Sequence, residues 1–176
     1  MKVEKTINKL IDELLEECQI TERPVDVEKI AKFLKIIVVK RAYKDKGPLS
    51  AMLVRSQNKV IIGVNEKHNI QKQRFSIAHE IGHFFLHKGE ELIVDKDFVI
   101  NFRHYKTNNS EYLKEKDANY FASCLLVPDK FLIDDLKSYE IDVLKQKTFV
   151  EVAKDLHKKY NVSLPAMQLR IYSFLH

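Results

Sequence analysis

One stretch limits what this chain can fold into more than any other: Arg74-Phe75-Ser76-Ile77-Ala78-His79-Glu80-Ile81-Gly82-His83-Phe84-Phe85-Leu86. With 3.6 residues per helical turn, Ile77, Ala78, Ile81, Phe84 and Phe85 cover much of the circumference, so the segment has to be a core helix. The same helix carries two histidines and a glutamate, and buried polar groups need partners. His79 and His83 stand four residues apart and share one helix face. A single metal ion satisfies both imidazoles. Glu80, beside the first, can reach a water on that ion without being a ligand. This His-Glu-x-x-His box is the arrangement of zinc peptidases, with glutamate as general base. A surface helix with solvated histidines is the competing reading, and the apolar surroundings speak against it. Gly82 costs about 1 kcal/mol of helix propensity and suits a place where another backbone or a substrate comes close.

The rest of the chain is consistent with a compact protein around that helix. Its 176 residues, 45% of them hydrophobic, make one domain, or one domain with a small appendage. The expected division is a metallopeptidase domain over 1–140 and a helical extension over 141–176 packed on the same core. Only 4 Gly and 4 Pro leave little material for flexible linkers. The start of the chain is charged and lacks the apolar stretch of a signal peptide. No apolar run reaches membrane-spanning length. Cys18 and Cys124 sit in apolar stripes and read as small core residues. The expectation is a cytoplasmic protein. A net charge of +5 is spread over 30 basic and 25 acidic residues, which favours a solvated mixed surface over a nucleic-acid-binding one.

Ile7, Leu10, Ile11, Leu14, Leu15 and Cys18 repeat at helical spacing, predicting a first helix of about four turns. Asp26 is placed to cap a second helix that buries Val27, Ile30, Ala31 and Leu34. Lys35 to Arg41, Leu49 to Arg55 and Lys59 to Val64 read as strands, the last two joined by a turn at Ser56-Gln57-Asn58. The predicted class is α+β, with a small, mostly antiparallel three-stranded sheet packed on helices in a zincin-like core. Between Glu90 and Ser110 the pattern is weak. Leu92–Val94 and Phe98–Ile100 have strand character, and Thr107 to Ser110 reads as a loop. A helix from about Glu111 to Leu126 must stop before Pro128, where another short helix starts. Thr148 to Tyr160, a turn at Asn161-Val162 and a helix capped by Ser163 close the chain.

A catalytic zinc usually has three protein ligands and one open position. Ala118, Phe121, Ala122 and Leu125 mark the buried stripe of the 111–126 helix, and Glu115 points along it. An inward carboxylate needs a compensating charge, which a metal held by His79 and His83 would supply. Asn119, one turn on, is placed to orient a ligand by hydrogen bonding. Alternatives remain at this level: Glu111 and Asp117 are rival ligands, and Glu115 can instead pair with Lys114 or Lys116.

Arg74 through His87 resembles the zinc-box segment of the ImmA/IrrE metallopeptidases. Glu115 through Pro128 resembles their later ligand segment, Pro24 through Ala31 an upstream one, and Asn161 through Arg170 their tail. These segments occur in the family's order and span nearly the whole chain. The departures are Ile171, where the family often has leucine, and the lack of the N-terminal helix-turn-helix module that some members carry. The resemblance implies Zn2+ on His79, His83 and Glu115, Glu80 as general base, and a protein substrate, a helix-turn-helix repressor cut to release genes. His87, His104, Tyr105 and Asn119 are candidates for steadying the ligands or the oxyanion. A second class of function is a helix-turn-helix regulator or a toxin–antitoxin component whose zinc site is structural or vestigial. Its DNA-reading residues would be Gln168 and Arg170.

Overall fold

The structure is a computed structural model that describes residues 2–42, 49–56, 58–87, 92–96, 109–137, 139 and 146–175. Along the chain run α1 (Lys2–Glu17), α2 (Val27–Phe33), β1 (Ile36–Arg41), β2 (Leu49–Ser56), β3 (Lys59–Asn65) and α3 (Ile70–Leu86). They are followed by β4 (Leu92–Lys96), α4 (Asn109–Leu126), α5 (Asp129–Leu136), α6 (Gln146–Tyr160) and α7 (Leu164–Leu175). No helix among the described residues is long and apolar enough to cross a membrane. The chain gathers into two compact units, Val27–Ala122 and Met1–Asp26 with Ser123–His176.

In Val27–Ala122 the sheet has the order β1-β3-β2-β4. β2 pairs antiparallel with β3 and with β4, whereas β1 runs parallel to β3. The α+β class holds, but among the described residues the sheet has four strands rather than three and one pairing is parallel. β4 forms over Leu92–Lys96, where Leu92–Val94 had strand character. Strand periodicity is the same in parallel and antiparallel pairs, so the partner of β1 left no trace in the pattern. Leu53 lies opposite Ile62 and Ala51 opposite Val64, all four buried. α3 packs against β2 and β3 with Ile77, Ala78 and Ile81 buried, and α2 packs against β1. The side chain of Asn69 caps α3 by accepting from the Lys72 N–H at 2.8 Å. α4 begins two residues before the expected Glu111, so Asn109 and Ser110 are helical rather than part of a loop. The strand expected at Phe98–Ile100, the loop residues Thr107 and Asn108, and both His104 and Tyr105 lie outside the described residues.

In the other unit α1 buries Ile7, Ile11, Leu14 and Leu15, as their spacing requires. Cys18 is buried too, although it sits in the turn after α1. Ser163 Oγ accepts from the Ala166 N–H at 3.3 Å and caps α7. Asp135 ties this unit together. Only 5% exposed, it accepts from Arg23 Nε at 3.1 Å, from Tyr160 OH at 2.7 Å, and from Lys159 Nζ.

Burial alone would raise the Asp135 carboxyl, but its donors Arg23, Lys159 and Tyr160 outweigh burial and hold it at about 2. A carboxyl depressed by folding stabilises the fold above its ordinary pKa, and that contribution is lost as pH falls through the depressed value. The unit should therefore lose roughly 2 kcal/mol of stability between pH about 4 and about 2. Urea unfolding across that range checks this. Asp135→Asn should be less stable at neutral pH and should lose less on acidification than the unchanged chain.

Candidate metal centre

His79, Glu80 and His83 occupy the most buried stretch of α3, at 1%, 0% and 2% exposure. The apolar residues around the box put them there, since Ile77, Ala78 and Ile81 have to face the core. α4 brings Glu115 against the two histidines. His79 Nε2 lies 3.3 Å from Glu115 Oε2, and His83 Nε2 lies 3.1 Å from Glu115 Oε1. The two Nε2 atoms are themselves 2.9 Å apart. These three residues form a cluster able to hold a metal ion. Of the rival ligands, Glu111 is exposed and Asp117 is half-buried, and neither joins the cluster.

The protonation pattern suits metal binding. His79 Nδ1 lies 3.1 Å from Asn119 Oδ1. An amide oxygen only accepts, so Nδ1 carries the proton and Nε2 keeps its lone pair. Burial pushes the His83 imidazole below its usual value, against the partly opposing effect of Glu115. Burial would raise Glu115, but its hydrogen bonds with His79 and His83 prevail and hold it well below the usual carboxylate range. Burial favours the neutral form of His83, and the N–H donors of the two histidines keep Glu115 ionised. A bound metal ion would take the place of those protons, since neutral imidazoles and an ionised carboxylate are the forms that ligate. The three ligand atoms converge at 2.9 to 3.3 Å. Such convergence needs positive charge among them, supplied by shared protons or by a metal ion. A tetrahedral zinc with bonds of about 2.05 Å has ligand atoms about 3.3 Å apart. The residues present fit zinc.

Close packing of α3 on α4 sets this arrangement. A Cβ added at Gly82 would stand 3.2 Å from the Ala118 Cα, from the Ala118 carbonyl oxygen and from the Phe121 Cβ. The absence of a side chain at 82 thus brings α4, and Glu115 with it, up to the histidines. Asn119 joins the site as its spacing predicts. His87 does not ligate: its Nε2 donates to the Lys114 carbonyl at 3.0 Å and ties the end of α3 to α4. Its ring still lies near that of His83, with centroids 5.1 Å apart. Arg55 of β2, which donates to three carbonyls at the end of α3, was missed by the sequence reading. No local pattern marks a strand cation as the cap of a later helix. The expected DNA-reading residue Arg170 is turned inward, 3% exposed and donating to the Val127 carbonyl and to Asp129. α7 instead exposes Leu169 and Tyr172.

A family model described as the IrrE N-terminal-like domain, a peptidase family, matches residues 20–172. Metallopeptidase ImmA of Bacillus subtilis (strain 168) is 34% identical over 117 residues. That match covers 63% of this chain and 59% of the relative, so the chain spans about three-fifths of the relative's length.

Replacing Gly82 by alanine tests the packing. The change gains about 1 kcal/mol of helix propensity, while overpacking a helix contact costs about 1–3 kcal/mol. Crowding should win. Gly82→Ala is expected to unfold at lower denaturant and to bind zinc more weakly in calorimetric titration, because Glu115 is pushed away with α4. Greater stability with unchanged zinc affinity would refute the close contact.

Proposed function

The chain belongs to the ImmA/IrrE family of metallopeptidases, and we propose that it is a zinc-dependent endopeptidase with a zincin-like core that cuts a specific protein partner. The observation that carries this reading is the convergence of His79 Nε2, His83 Nε2 and the Glu115 carboxylate beside the buried Glu80. His79, His83 and Glu115 are the ligands, and three ligands leave a fourth position open. When bound, zinc supplies a Lewis acid that polarises the scissile carbonyl and makes water more acidic.

Glu80 is the general base in this scheme. It takes a proton from the attacking water and passes it to the departing amine. It sits beside His79 in the buried stretch of α3. Asn119 keeps the proton of His79 on Nδ1, so Nε2 stays directed at the metal. The substrate class we assign is a helix-turn-helix repressor, and the compartment is the cytoplasm. DNA binding through α7 is disfavoured, because the inward Arg170 leaves an apolar outer face without phosphate or base contacts.

Purified protein incubated with a repressor encoded beside it gives the test. Cleavage should stop on chelation and resume when zinc is restored. Glu80→Gln should retain zinc, seen by metal analysis, yet lose activity about a thousandfold. Cleavage by Glu80→Gln at the original rate would sink the mechanism.

A further inference from the structure

α3 ends at Leu86, so the ligand His83 stands in its last turn. The final four carbonyls of a helix have no partner within it, and terminal turns open most readily. One of the metal ligands is therefore carried on the least constrained part of its helix. Arg55 meets that weakness from the sheet. Its Nη2 donates to the His83 carbonyl at 3.0 Å and to the Phe84 carbonyl at 3.2 Å, while Nη1 donates to the His87 carbonyl at 2.9 Å. The guanidinium also lies over the Phe84 ring, 5.8 Å from its centroid. The His83 carbonyl accepts from the His87 N–H as well, at 3.1 Å.

The anchor is itself held. Arg55 lies opposite Val60 in the β2–β3 ladder, and β2 has partners on both sides. A cation at this end of α3 faces the negative end of the helix dipole. A planar guanidinium can serve several carbonyls in a fixed geometry, which an ammonium cannot.

We infer that Arg55 is a positioning residue for the metal centre: it pins the last turn of α3 so that His83 Nε2 stays aligned with His79 Nε2 and the Glu115 carboxylate. The inference rests on the metal centre proposed above. Arg55 touches no ligand atom directly, so its effect should be read in metal affinity and in ligand geometry.

Zinc affinity of the full chain, measured by competition with a chromogenic chelator well below the unfolding temperature, provides the test. Arg55→Met keeps an apolar stem beside Phe84 and removes the donors. It should weaken zinc binding about tenfold, the lower end of what loss of a ligand-supporting partner costs. Arg55→Lys should recover part of that loss. The visible spectrum of the cobalt-substituted protein should change shape in Arg55→Met. Ile62→Val removes a methylene from the sheet core and lowers stability without removing any donor to the α3 carbonyls. It should leave zinc affinity unchanged. If Arg55→Met and Arg55→Lys both bind zinc as tightly as the unchanged chain, the inference is overturned. It is equally overturned if Ile62→Val weakens zinc as much as Arg55→Met. Should zinc binding survive His79→Ala in the otherwise unchanged chain, the metal reading fails and the inference falls with it.

Discussion

The missing side chain at Gly82 lets the backbone of α4 approach α3 so closely that an added Cβ would stand 3.2 Å from Ala118. Much of what the site can do follows from that contact. Glu115 lies three residues before Ala118 on α4, and His79 and His83 flank Gly82 on α3. Bringing Ala118 against Gly82 therefore carries a carboxylate up to two imidazoles. Asn119, next to Ala118, arrives at the back of His79 by the same movement. A donor set and its support are thus produced by one helix crossing, without any loop having to be placed accurately.

The electrostatics then follow from burial. Each imidazole is almost wholly out of water, and at His83 burial favours the neutral form. Glu115 stays ionised because the histidines face it. Glu80 adds a second carboxylate in the same buried stretch. Crowding two buried imidazoles against the half-buried Glu115 carboxylate is costly unless positive charge completes the group. That cost is the physical link between the core-helix character of residues 74–86 and metal chemistry. An exposed helix with the same two histidines would carry no such requirement.

What could be read from the sequence was what is local. Helical spacing was enough to put His79 and His83 on one face and Glu115 and Asn119 on the stripe of a later helix, and the structure brings these residues together. The strands of the hairpin were legible for the same reason. Contacts that depend on backbone atoms or on distant partners were not. His87 donates to a carbonyl, Lys114 O, and a carbonyl has no residue identity to recognise. Arg55 caps a helix end whose carbonyls lie 28 to 32 residues further along the chain. The parallel pairing of β1 with β3 and the addition of β4 depend on which edges are free, and alternation of apolar residues does not encode that. Arg170 looked available to DNA because its position in a turn-linked helix pair is the same whether it faces solvent or Asp129.

The central claim is that three side chains form a single open metal centre. Anomalous diffraction from crystals of the zinc-loaded protein tests it most directly. One ion should be bonded to His79 Nε2, His83 Nε2 and the Glu115 carboxylate, with a fourth position not filled by protein. An ion bound elsewhere, or a fourth protein ligand closing the site, would contradict it.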